Sequence, residues 1–145
     1  MDPLSRNMII EIILSVLFPT LWFSLLSIYH YYYSFFGIFS FITLSIFYII
    51  LGVPSSIFVR VFLEEVAKCF FATSWKEGAA AGIGFSLMEN IVWALQSNPM
   101  TLLLRGIFTT GIHALSSGLI GTRKPSLVLI GYLIHVNWNL LVRSI

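Results

Sequence analysis

The sequence predicts an all-α fold, a polytopic membrane protein built as a bundle of about six transmembrane helices. Three observations lead there. Hydrophobic residues fill 58% of the 145 positions and charged residues only 10%, whereas a water-soluble domain carries roughly a quarter charged. Mean hydropathy is +0.93. Apolar windows of about 20 residues, the helical length that crosses a hydrocarbon core of about 30 Å, recur along the whole chain between Pro, Gly and charged punctuation. The expected partner is therefore a lipid bilayer. Eight basic against six acidic residues leave a net charge of +2, and no basic run exceeds Arg123-Lys124, so there is no nucleic-acid footprint. The single cysteine, Cys69, excludes an internal disulfide framework.

The windows fall at 8–29, 35–53, 55–73, 78–96, 100–121 and 125–143. The first is too long for the apolar region of a signal peptide and reads as a retained span that Pro19 should bend. His30 to Tyr33 between the first two windows have the composition of an interfacial aromatic belt. Pro54, Pro99 and Pro125 stand at or just before span starts, where a missing backbone donor does little harm. Arg6, Arg60 and Arg143 on one side balance Lys76, Arg123 and Lys124 on the other, so the positive-inside rule assigns no orientation. The whole chain forms one transmembrane domain: 8–54 is apolar scaffold, and 55–143 holds four spans with polar groups.

Ionisable groups inside a span are costly unless paired or facing a cavity, which makes them functional candidates. Glu64, Glu89, His113 and His135 each lie near the middle of a polar span, so antiparallel packing brings two carboxylates and two imidazoles to one depth. In the third span Lys68 stands four residues after Glu64 and three after Glu65, and can neutralise one of them. Adjacent residues differ by about 100° around a helix, so one glutamate faces the cavity and the other is structural. Gly78, Gly82 and Ser86 form a small-residue stripe that allows close helix approach, with Glu89-Asn90 just beyond it. The fifth span offers Arg105 and His113, the sixth His135 and Asn139 on one face. Two histidines and a carboxylate are a ligand set for catalytic zinc, with another glutamate as general base and Asn139 as oxyanion donor. A proton or ion pathway and a structural polar core remain open beside the hydrolytic metal site.

These residues, in this order, resemble the PrsW family of intramembrane metalloproteases, related to the CAAX prenyl endopeptidase and bacteriocin-immunity superfamily. Glu64-Glu65-x-x-Lys68 resembles the family's EExxK motif, and Gly82-x-Gly84-Phe85-x-x-x-Glu89-Asn90 its glycine-led FxxxEN motif. His113-Ala114, preceded by Arg105, is similar to the third block, and His135-x-x-Trp138-Asn139 to the HxxxN block. The resemblance covers about residues 60 to 140. It implies a peptidase in a prokaryotic cell membrane that cuts a membrane-anchored protein substrate with glutamate-activated water. It makes Glu64 the general base, and Glu65 its neighbour in the motif, paired with Lys68. Glu89, His113 and His135 become metal ligands, for zinc, or water-orienting groups, Asn139 the oxyanion donor, and Asn90 and Arg105 supporting residues. Glu89 replaces the histidine of the prenyl-endopeptidase branch, which points away from prenylated substrates. The competing expectations are a proton-coupled transporter using the same buried groups and a non-catalytic immunity or scaffold protein.

Overall fold

The computed structural model describes residues 9–10, 12–14, 16–17, 31–95, 103 and 105–143. The described chain is all-helical: α1 Tyr31–Leu51, α2 Ile57–Cys69, α3 Trp75–Ala94, a π-helical turn Arg105–Thr109 that runs into α4 Thr110–Gly121, and α5 Pro125–Arg143. Of the expected first span, 9–10, 12–14 and 16–17 are helical. Pro19, His30, Pro99 and Arg6 lie outside the described residues.

Local chemistry sets the boundaries. Gly52, at φ 86°, closes α1 with its N–H on the Tyr48 carbonyl, a left-handed cap that glycine adopts without penalty. Ser74 caps α3 by accepting from the Glu77 N–H, while the Glu77 carboxylate accepts from the Thr73 N–H at 2.6 Å and hydroxyl at 2.9 Å, so side chains satisfy the first orphan donors. Pro125 opens α5 at its first position.

The third expected span is shorter than its apolar window. Thirteen residues give α2 a length of roughly 20 Å. Its carbonyl end is finished by the Arg123 guanidinium, which donates to the carbonyls of Cys69, Phe70 and Ala72 at 2.7–2.8 Å. Two helices, over Tyr32–Leu51 and Pro125–Val142, are long and apolar enough to cross a membrane.

At the centre lies α3, buried continuously from Gly78 to Ser86 and packed chiefly on α4 and α1. Glycine makes this closeness possible. A Cβ on Gly82 would run into the His113 carbonyl, and one on Gly78 into that of Ser117. On the other side, Gly84 meets the Ser34 carbonyl and Gly37 the Ala81 carbonyl. Large apolar side chains point outward instead, with Ile49 83% and Phe35 66% exposed, while Lys68, Glu65, His113, His135 and Asn90 are buried. Polar groups are thus buried among small and apolar side chains such as Ala80, Ile83 and Phe85, while many large apolar side chains among the described residues are exposed.

Candidate active site

Four helices deliver the polar groups. Glu64, Glu65 and Lys68 come from α2, Glu89 from α3, His113 from α4 and His135 from α5. The 100° step between Glu64 and Glu65 sends them to different surroundings. Glu65 is buried, bonded to Lys68 Nζ at 2.5 Å and His135 Nδ1 at 2.5 Å, and it accepts from the Ser116 and Ser117 hydroxyls at 3.1 and 2.9 Å. Glu64 lies in the wall of a cavity of about 360 Å³ that it shares with Glu89, Tyr48, Phe85 and Trp93, and its Oε2 is 3.4 Å from His135 Nε2.

His113 is clamped at both nitrogens. Its Nδ1 lies 2.9 Å from the Lys68 ammonium and its Nε2 2.7 Å from Glu89. An ammonium has donors only, so Nδ1 accepts, Nε2 carries the proton, and that N–H donates to Glu89. A carboxylate only accepts, so the His135 proton sits on Nδ1, donating to Glu65, and Nε2 is left unprotonated 3.4 Å from Glu64 Oε2. The two rings meet edge to face with centroids 4.6 Å apart. Contacts therefore run without a break from Glu64 through His135, Glu65, Lys68 and His113 to Glu89.

Arg105, a supporting residue in the resemblance, bonds Glu89 at 3.1 Å and stacks on Trp93 with its guanidinium 4.2 Å from the ring centroid. It sits in the π-helical turn, a local widening common at functional sites. Asn90 stays out of the cluster, tying α3 to α4 through the Thr110 hydroxyl at 3.2 Å. Asn139 donates to the His135 carbonyl at 3.4 Å and lines a separate cavity of about 40 Å³ with Arg60 and Glu64. It does not line the larger cavity, where an oxyanion donor would be needed.

No family model matches the chain, and no curated protein or solved structure matches it either.

Glu65, His113 and His135 each offer a ligand atom, all within 4.8 Å of one another, and can hold a metal ion. The carboxylate of this group is Glu65, where the resemblance implies Glu89; Glu89 bonds His113 from the cavity side. The donor set suits a cation, since Lys68 already places its ammonium against both Glu65 and His113. Three residues at the site were missed from sequence. Ser116 and Ser117 follow His113 by three and four residues, a same-face spacing that was there to be read. Tyr48 was hidden in an apolar span taken as scaffold.

Proposed function

We propose that this protein is an intramembrane peptidase, similar to the PrsW family, that hydrolyses a peptide bond of a membrane-anchored protein with water activated by Glu64. One observation carries the reading: the chain of buried contacts begins and ends, at Glu64 and Glu89, on the wall of one cavity. A transport relay must join two sides of a membrane, whereas a chain that returns to its own cavity suits acid–base chemistry on a molecule held there. The apolar exterior and the two helices of spanning length support a bilayer setting, and six spans remain the reading of the hydropathy windows.

Each group has a task in that reaction. Glu64 Oε2 and His135 Nε2 face each other as two acceptors and can share one proton, so the pair takes a proton from water and later returns it to the leaving amine. Glu65 accepts the His135 Nδ1–H, fixing the ring and stabilising the imidazolium when it forms, while Lys68 balances Glu65. The Ser116 and Ser117 hydroxyls and His135 hold Glu65 in place. Arg105 and the His113 N–H hold Glu89 at the opposite wall. The 40 Å³ cavity between Glu64, Asn139 and Arg60 is of a size for a single water, on the base's other side. Zinc, if bound, would be held by Glu65, His113 and His135 and would supply Lewis-acid polarisation of water or carbonyl.

The test is cleavage of a library of single-span peptides by the full chain in lipid vesicles, read by mass spectrometry. A helical substrate has its carbonyls satisfied, so cuts are expected at helix-weak or juxtamembrane segments. Glu64→Gln should lower the rate about 10²–10⁴-fold with detergent stability nearly unchanged; His135→Ala should lower it as far and, because it also removes a buried partner of Glu65, lower detergent stability too. Full activity in either variant would refute the role assignment.

A further inference from the structure

Tyr48 has no role in the reaction as described so far. It projects from α1 into the wall of the 360 Å³ cavity that Glu64 and Glu89 also line. The hydroxyl oxygen is buried and has no hydrogen-bond partner among the described residues. Burying a phenol hydroxyl in this way is unfavourable unless the cavity's occupant brings an acceptor. Of the neighbouring carboxylates, Glu89 is bonded to Arg105 and His113, and Glu64 has its Oε2 3.4 Å from His135 and makes no hydrogen bond to Tyr48.

Ser45 and Trp93 bring donors of their own to the same wall, but among the described residues lining this cavity only Tyr48 buries a polar side-chain atom without a partner. Lys68 lies behind the histidine ring, against Glu65 and His113. Arg105 bonds Glu89 and stacks on Trp93; its Nε is buried without a partner too, but the residue does not line this cavity. Asn139 faces the smaller cavity. A peptide carbonyl placed between Glu64 and Glu89 would be an acceptor in front of an unused donor.

We infer that Tyr48 is a catalytic residue whose O–H donates to the carbonyl oxygen of the scissile bond as negative charge builds there. This rests on the peptidase reading and deepens it. The water oxygen bonds to the carbonyl carbon, the C=O π pair moves onto oxygen, and the water proton passes to the Glu64–His135 pair. Tyr48 keeps its proton and hydrogen-bonds the oxyanion. On collapse the oxygen pair re-forms C=O, the C–N bond breaks, and its electrons leave on nitrogen, which takes the proton back from the pair. Oxidation states do not change.

The experiment uses the full chain in vesicles with the most rapidly cut peptide of the single-span library. Tyr48→Phe keeps the ring and should lower kcat about 10²–10³-fold, the loss typical of one oxyanion donor, with KM and thermal unfolding unchanged. Tyr132→Phe, whose hydroxyl donates to the Phe58 carbonyl away from this cavity, should keep the wild-type rate. Full activity in Tyr48→Phe alongside an inactive Glu64→Gln overturns the role of Tyr48 and leaves the peptidase standing. A rise in KM alone, or a loss of rate that follows a loss of stability, also overturns it, since either gives the hydroxyl a binding or structural role. A wild type that cuts no peptide overturns the peptidase reading and this role with it.

Discussion

Lys68 is the residue on which the cluster's charge balance turns. Its ammonium is fully buried and touches both Glu65 and His113, so any divalent cation entering among Glu65, His113 and His135 competes with it. Lys68→Met should therefore raise zinc affinity, read as metal content of the purified protein by elemental mass spectrometry after dialysis against a graded zinc buffer. His135→Ala should remove whatever zinc the wild type carries. Equal zinc in wild type, Lys68→Met and His135→Ala would show that the ion binds elsewhere. Much at this scale was legible in the sequence: four ionisable residues at matched depth named Glu64, Glu89, His113 and His135, and the structure brings them together. Which carboxylate joins which imidazole was not legible. That depends on the rotation of α2 about its axis, and an (i,i+3) and an (i,i+4) partner for Lys68 look equally good along a chain.

At the scale of elements, α3 decides the geometry. It touches α4 on one side and α1 on the other through glycines with no room for a methyl group. Gly82→Ala would press on the His113 backbone, moving the ring that links Lys68 to Glu89. Overpacking of this kind typically costs about 1–3 kcal/mol, so a lower midpoint of thermal unfolding in detergent is expected together with lost cleavage. Gly111→Ala is the control, since nothing lies within 4 Å of its added Cβ. An unchanged midpoint in Gly82→Ala would contradict the packing described. The sequence announced this helix through Gly78, Gly82 and Ser86, because small residues four apart mark a close-approach face. It did not announce the early end of α2 at Cys69. The apolar run continues through Phe70 and Phe71, and the carbonyls at the helix end are taken up by Arg123, more than fifty residues later.

Among the described residues, most titratable groups of the central cluster are buried while many large aliphatic and aromatic side chains are exposed, and the bilayer setting proposed above can be tested directly. In lipid vesicles Ile49→Cys, at an 83% exposed position, should resist a water-soluble maleimide until detergent is added, whereas Lys124→Cys, in the turn before α5, should label when that face is outward. The native Cys69 is buried and adds little background. Rapid labelling of Ile49→Cys in intact vesicles would exclude the bilayer setting for α1. One feature of the backbone also ties chain length to chemistry. A π-helical turn holds about one residue more than an α-helical turn, and each residue accounts for about 100° of rotation. A variant one residue shorter within 105–109 could wind straight into α4, leaving His113, Ser116 and Ser117 in phase and turning Arg105 away from Glu89 and Trp93. In this stretch the number of residues, as much as their identity, works as a clutch that engages the arginine or lets it spin free.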